Sequence, residues 1–197
     1  DKRPDALKHM IDSLLDSPHY GERWARHWLD TARYSDGLGG FGDNGPLPGA
    51  WRYRDWVVDC FNRDLPYDQF VREQLAADEL AADDPDTLIA TAFLRLGIYE
   101  WNQRNAEMQH DIMINEITRL TGEVFLGIGI GCAQCHDHKF DAILAEDYYA
   151  FAGFLQSSGF HLKDVSDPQA QDSAHARLAK LRAGSTPGLL REFADRV

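Results

Sequence analysis

The chain has 197 residues, 44% of them hydrophobic and five of them Trp, which is enough for one domain with its own core and an appended helical tail. Its formal net charge of −12 and pI near 5.0 argue against binding to nucleic acid and to an anionic membrane surface. No window approaches the roughly 20 apolar residues of a membrane-spanning helix, and three Cys residues cannot build a disulfide framework.

Apolar residues recur at helical spacing along most of the chain, and no segment shows the convincing alternation of a β-strand. Between the second and third predicted helices, residues 36–49 contain six Gly and two Pro, which indicates a long loop. The predicted fold is therefore mainly α, an irregular multi-helix domain with long loops. The predicted helices span residues 4–15, 18–34, 51–62, 66–80, 85–96, 105–126 and 146–155.

The composition changes beyond residue 163, where Ala, Gln, Asp, Ser and Arg predominate. We therefore predict a domain over residues 1–163, followed by a linker and peripheral helices over residues 164–197. The chain begins without Met or an apolar leader. We expect it to belong to a longer protein, with a further region after residue 197.

The segment Cys132-Ala133-Gln134-Cys135-His136 has the spacing of a c-type haem attachment site. Two thiols three positions apart can add to the two vinyl groups of haem, and the imidazole that follows can ligate the iron as proximal ligand. The prediction is one covalent haem c, attached through Cys132 and Cys135, with its iron bound by His136. Glycines at 127, 129 and 131 would let a flat macrocycle approach the backbone closely.

Three other interpretations of this segment stay open. A structural zinc site could use Cys132, Cys135 and either His136 or His138, although such sites normally have four ligands. A dithiol redox pair is the second interpretation, but such pairs usually lie in a βαβ pattern that this chain lacks. The third is two buried cysteines beside a surface histidine, with no chemical role.

The candidates for a second axial ligand of the iron are His27 and His161, because each comes from a distant part of the chain. For His27, which is flanked by two Trp residues, the alternative is a hydrogen-bonded core residue. A continuous helix over residues 105–126 would place His110 roughly 30 Å from Cys132, at about 1.5 Å per residue. This distance argues against His110 as the ligand unless the helix breaks and folds back.

Three ordered blocks of the sequence resemble one known family. The first runs from Cys132 to Ile143, CAQCHDHKFDAI, and is followed by Asp147-Tyr148-Tyr149. The second covers residues 23–36 and the third residues 51–70. Together they are similar to the DUF1549 (PSCyt2) domain of planctomycete-type cytochrome c proteins, over roughly residues 5–160. The chain departs from the family at Ala142, where Pro is common.

The resemblance implies a domain of a large exported bacterial protein, periplasmic or at the cell surface, beside a cytochrome-like domain and a DUF1553 domain. It also implies an association with polysaccharide degradation, and hence a glycan-related substrate. We expect the haem to serve electron transfer or redox chemistry linked to polysaccharide breakdown, with a redox partner or those adjacent domains as partners. The alternatives are a haem enzyme with an open distal site and a structural zinc-binding interaction module.

If the domain is an enzyme, the first candidate catalytic residues follow the proximal histidine. His138, Lys139 and Asp141 lie within five residues of His136. Side chains of these types could bind a substrate or move protons at the haem edge.

Two arginines, Arg33 and Arg54, complete the candidate catalytic set. Both lie on segments whose Trp and Tyr residues are expected in the core. Because buried charges must be paired, we expect ion pairs with Asp30, Asp55 or Asp141. The simpler interpretation of these arginines is therefore a scaffold of ion pairs.

Overall fold

The chain divides into two compact units, Asp1–Gly159 and Phe160–Val197. The predicted division after residue 163 falls outside the residues that the structure describes. In the second unit, the described residues are helical. The structure is a computed structural model, and it describes residues 4–37, 47–97, 105–159, 172–173 and 176–182.

The described part of the first unit is built from helices and contains no β-strand, which confirms the mainly α prediction. No helix in the described ranges has the length and apolar character needed to cross a membrane. Three short helical turns of other types interrupt the α-helices: a 3₁₀ turn at Ile89–Arg95, a π-turn at Gly122–Leu126 and a 3₁₀ turn at Ile130–Gln134. The α-helices are α1 (Ala6–Leu15), α2 (His19–Thr31), α3 (Ala50–Asn62), α4 (Tyr67–Leu80), α5 (Pro85–Leu88), α6 (Ala106–Thr121) and α7 (Ala145–Gln156).

The predicted helix over residues 105–126 does not continue as one α-helix. After Thr121 the hydrogen bonding changes from α to π over the turn Gly122–Leu126. Gly127, with a left-handed φ of 66°, then ends the helical segment. The chain then folds back, so that the side chain of Ile130 lies against Gly122. A Cβ at Gly122 would be 2.4 Å from Ile130 Cγ2, and this close approach requires glycine.

The larger hydrophobic cluster, here the first cluster, joins α2, α3, α4, the turn Ile89–Arg95 and the end of α6. Its centre is aromatic, with the rings of Trp56 and Phe70 stacked at 5.3 Å. A buried polar group is satisfied inside it: Gln74 Oε1 accepts hydrogen bonds from the Tyr53 hydroxyl at 2.6 Å and from Trp28 Nε1 at 3.2 Å. Because each polar atom has a partner, the network specifies the packing without an unpaired buried group.

A smaller, second cluster holds the turn that carries the cysteines. It consists of Ile114 from α6, Ile130 and Ala133 from the turn Ile130–Gln134, and Tyr148 and Ala152 from α7. Helix α6 contributes to both clusters, since its Leu120 belongs to the first.

Helix α1 differs from the other long helices because none of its residues is buried. Its apolar residues have the spacing of an amphipathic helix, yet they face solvent. The side chains concerned are Leu7, Met10, Ile11, Leu14 and Leu15.

Candidate functional site

The two cysteines of the Cys-x-x-Cys-His motif lie on the outer side of the turn Ile130–Gln134, here called the cysteine turn. Ile130 and Ala133 point inward and are buried, whereas Cys132 and Cys135 are exposed free thiols. Cys132 lies within the turn, and Cys135 follows it directly as the C-cap residue with φ −108° and ψ −25°. The interpretation as two buried cysteines is therefore wrong.

His136 is exposed, and its Nδ1 lies 2.7 Å from the carbonyl oxygen of Asp137. A carbonyl oxygen can only accept a hydrogen bond, so Nδ1 must carry the proton and donate it. The lone pair of the neutral ring is then on Nε2. A backbone acceptor at Nδ1 is the usual arrangement of a metal-ligating histidine, because it fixes both the tautomer and the ring orientation.

His138 has the opposite arrangement. Its Nδ1 accepts hydrogen bonds from the backbone N–H groups of Asp141, at 2.9 Å, and Phe140, at 3.3 Å. An amide N–H can only donate, so in the neutral ring these bonds put the lone pair on Nδ1 and the proton on Nε2, whereas Oδ2 of Asp141, 3.3 Å from the same nitrogen, favours a proton there. Since its side chain is only 10% exposed, His138 acts as a cap that holds the loop, and its Nε2 is not a ligand in this state.

Further hydrogen bonds hold the loop that follows the cysteine turn. Asp137 Oδ1 accepts from the backbone N–H of Ala145 at 2.9 Å, at the start of α7. The Tyr149 hydroxyl, on the first turns of the same helix, donates to the carbonyl oxygen of Gln134 at 2.9 Å. Burial raises the pKa of the neighbouring Tyr148, whose hydroxyl donates to Asn115. Helix α7 thus anchors the motif on both sides.

A network of four charged side chains lies behind the cysteine turn. Arg33 donates to Glu116, and Arg119 lies between Glu116, at 3.2 Å, and Glu123, at 3.1 Å. Burial alone would raise the pKa of Glu116, but the hydrogen bonds and charges of Arg119 and Arg33 outweigh it and lower the pKa. The stem of Arg119 packs on Gly131, where a Cβ would lie 2.7 Å from Arg119 Cδ.

Two of the three glycines before Cys132, Gly127 and Gly131, have a reason in the protein's own fold. Arg119 fills the space beside Gly131, and Gly127 adopts its left-handed φ to end the π-turn. A Cβ at Gly129 would lie 3.7 Å from His138 Nε2, an ordinary contact. Gly127 and Gly131 are therefore explained by the fold itself, and the predicted macrocycle is not needed to account for them.

The structure corrects the predicted partners of the arginines. Arg54 pairs with Asp55 at 2.9 Å, as predicted, and approaches Asp36 at 3.8 Å. The predicted partner of Arg33 is wrong, because Arg33 pairs with Glu116 on α6 and not with an aspartate. The Arg33 side chain is 32% exposed and that of Arg54 42%, so neither is the deeply buried charge that we expected.

The remaining candidate residues are placed as follows. Lys139 Nζ lies 5.3 Å from the centre of the Phe140 ring, and both residues are exposed. His27 is exposed on α2 and packs its ring against Trp24 at 5.5 Å, so it is not the hydrogen-bonded core residue of the alternative. His161, the other predicted distal ligand, lies outside the described residues.

Among the described residues there is neither a preformed metal centre nor a third accessible thiol. Within the described ranges, no group of three or more His, Cys, Asp or Glu side chains is placed to hold a metal ion. Cys60 is buried in the first cluster, and burial raises its pKa to about 11, so it is a core residue with little thiolate at neutral pH. The accessible thiols of the described residues are those of the motif.

Comparison with protein-family models gives one match, which covers residues 1–159 and is described as PSCyt2, a protein of unknown function (DUF1549). The chain belongs to the PSCyt2 family. The match contains both hydrophobic clusters and the whole motif of this PSCyt2 domain. Neither the curated proteins nor the solved structures contain a match to the chain.

Sequence reasoning missed the residues that position the motif in this PSCyt2 domain. Glu116, Arg119 and Glu123 follow one another at spacings of three and four, the signal of ion pairs along one helix face. The roles of Asp137 and Tyr149 had no such signal, because their hydrogen bonds depend on the position of α7.

Proposed function

We propose that the domain carries one covalent haem c, attached through Cys132 and Cys135, and transfers electrons. His136 is assigned as the proximal ligand of the iron. The observation that carries the proposal is the state of His136: its ring is exposed, and the bond from Nδ1 to the Asp137 carbonyl leaves the Nε2 lone pair free. In the same loop, Nδ1 of His138 is occupied by two backbone N–H groups, which supports His136 over His138 as the proposed ligand.

The donor set fits the attachment chemistry. Each thiol adds across one vinyl group: a sulfur–carbon bond forms, and the thiol hydrogen ends on the other vinyl carbon. The step therefore needs no oxidant and has no leaving group. It does need two accessible thiols close together in the chain, and the exposure of Cys132 and Cys135, three positions apart, supports the proposal.

The surroundings favour electron transfer over a haem enzyme. Haem supplies a one-electron couple between ferric and ferrous iron, tuned by its axial ligands and their hydrogen bonds. Four of the five candidate catalytic side chains have partners within the protein, since the Asp141 carboxylate lies 3.3 Å from Nδ1 of His138 and Arg33 and Arg54 are ion-paired. Lys139 is the exception, but one exposed cation does not make a proton relay.

Three parts of the proposal rest on the family resemblance. They are export to the periplasm or cell surface, a redox partner or adjacent cytochrome and DUF1553 domains, and a link to polysaccharide breakdown through a glycan-related substrate. They stay predictions, and the attachment of haem is tested first because the others depend on it.

The test uses the chain exported in a bacterium that has a c-type maturation system. After denaturation and washing, a reduced pyridine haemochrome spectrum reports haem that is covalently bound. We expect one haem per chain for the wild type and for Cys60→Ala, the matched control that removes the buried thiol. We expect no retained haem for the double variant Cys132→Ala/Cys135→Ala.

A folded wild-type chain that retains no haem would overturn the proposal. Metal analysis and thiol titration of that sample then distinguish the alternatives, since one zinc per chain indicates the interaction module and a reversible Cys132–Cys135 disulfide indicates a redox pair. If haem is retained, a six-coordinate low-spin spectrum supports electron transfer. A high-spin spectrum that changes with added cyanide supports an open distal site and a haem enzyme.

A further inference from the structure

Helix α1 presents an apolar stripe that the described chain leaves uncovered. With about 100° of rotation per residue, its five large apolar residues fall on one side of the helix. The exposed fractions are 66% for Leu7, 55% for Met10, 45% for Ile11, 62% for Leu14 and 53% for Leu15.

An exposed apolar stripe on so short a helix indicates that another surface packs against it. Isolated helices of about ten residues are marginal in water, and most helical stability comes from packing an apolar face. Together the five side chains form a contiguous patch on the order of 500 Å², comparable to the largest apolar patch of a typical monomer, which is often functional.

We propose that the partner is a second copy of this chain, whose α1 packs antiparallel against the first around a two-fold axis near Met10. The charges at the edges of the stripe select this arrangement. Lys8 and Asp12 lie along one edge, and the small residues Ala6 and Ser13 lie along the other.

In an antiparallel pair related by a two-fold axis, each edge meets the same edge of the other copy. Lys8 then meets Asp12 of the second copy, and Asp12 meets Lys8 of the second copy. Both groups have bonding capacity left, since within α1 the Lys8 ammonium bonds only to Oδ2 of Asp12, at 2.8 Å. On the other edge, Ala6 and Ser13 allow the two backbones to approach.

A parallel pair would set the Lys8–Asp12 edge against Ala6 and Ser13, with no charge contact. An antiparallel pair would bury on the order of 1,000 Å² in total, near the lower limit of a specific interface. The dimer is therefore weak and reversible, and its population rises with protein concentration.

Analytical ultracentrifugation of the full chain over a wide concentration range tests the proposal. We expect a monomer–dimer equilibrium that Leu14→Asp abolishes. The matched control is Leu80→Asp, which changes an apolar side chain of similar exposure, 59%, at the end of α4 and leaves dimerisation unchanged.

The charge contacts are tested by mixing. Lys8→Glu and Asp12→Lys each create two like-charge contacts in a homodimer, so each variant should dimerise about three- to tenfold more weakly. In an equimolar mixture, a Lys8→Glu chain can pair with an Asp12→Lys chain. The new carboxylate at position 8 of the first chain then faces the new ammonium at position 12 of the second. Asp12 of the first chain faces Lys8 of the second, so both contacts are attractive. Mixing should therefore restore dimers, although within each variant helix the side chains at positions 8 and 12 still carry like charges.

A chain that stays monomeric throughout the concentration range overturns the second copy as partner. A dimer that Leu14→Asp leaves intact has its interface elsewhere and also overturns the proposal. If each charge variant weakens the dimer but mixing the two does not restore it, the antiparallel arrangement is excluded.

Discussion

His136 and His138 are two positions apart, yet their neutral rings carry the proton on opposite nitrogens. The backbone groups at Nδ1 set each tautomer: a carbonyl oxygen faces Nδ1 of His136, and two amide N–H groups, beside the Asp141 carboxylate at 3.3 Å, face Nδ1 of His138. The same residue type therefore gives a free Nε2 lone pair at one position and a loop cap at the other.

This difference predicts different effects on stability. His138→Ala removes the acceptor of two backbone N–H groups, and we expect it to lower the free energy of unfolding by about 1–2 kcal/mol. His138→Asn should lose less, because an asparagine side chain can accept from the backbone N–H two residues on. Urea unfolding of the haem-free chain measures both.

His136→Ala is the matched control, since its exposed ring bonds only to its neighbour's carbonyl. We expect a change of at most about 0.5 kcal/mol for this variant. Equal losses for His136→Ala and His138→Ala would contradict the assignment of His138 as the cap.

The motif could be predicted from residue spacing, but the states of its side chains could not. Cys132, Cys135 and His136 are recognisable as a candidate site because c-type haem attachment uses those residue types in that order. The tautomer of His136 depends on the local backbone path, which no residue pattern encodes. The partner of Arg33 was missed because Glu116 is 83 positions away in the chain.

At the scale of elements, α2 and α3 lie in close contact at Gly21. Its backbone N–H donates to Asn62 Oδ1 at 2.7 Å, and a Cβ there would lie 2.3 Å from the carbonyl oxygen of Val58. Because the obstacle is backbone, the helices would have to move apart to accept any side chain.

We therefore expect Gly21→Ala to lower the free energy of unfolding by about 2–3 kcal/mol, although Ala favours helix. Gly153→Ala is the matched control, since Gly153 lies in α7 and a Cβ there meets nothing within 4 Å. That variant should gain up to about 1 kcal/mol from helix propensity. A stabilising Gly21→Ala would show that α2 and α3 are not held at this distance.

Helix positions were largely predictable because apolar spacing reports them, but the end of α6 was not. A π-turn of five residues, Gly122–Leu126, is too short to change the hydrophobic period visibly, so residues 105–126 were predicted as one helix. The reversal at Gly127 brings the cysteine turn back against α6. The premise that placed His110 roughly 30 Å from Cys132 is therefore wrong, since it assumed an unbroken rise of about 1.5 Å per residue.

For the whole molecule, both hydrophobic clusters belong to the first unit. Their buried members lie between Ala25 and Ala152, and α6 contributes Leu120 to one cluster and Ile114 to the other. A helix shared by two clusters couples them, so we expect the first unit to unfold as one body.

We predict that a fragment of residues 1–159 folds by itself. It should unfold in one cooperative transition at the urea midpoint of the full chain, because it keeps every member of both clusters. Circular dichroism at 222 nm follows helix loss in both proteins. A fragment that is unfolded in buffer, or a midpoint far below that of the full chain, would show that residues 160–197 contribute to the core.

The reversal at Gly127 also bears on the order of folding. The contacts that hold the motif, from Ile114 to Tyr149, come from one continuous stretch of chain, whereas the first cluster joins residues from Ala25 to Leu120. Short-range contacts close small loops and form fast, while long-range contacts form slowly. The segment that carries the two thiols and His136 is therefore expected to fold before the first cluster closes, so both thiols would already be displayed while the rest of the domain is still open.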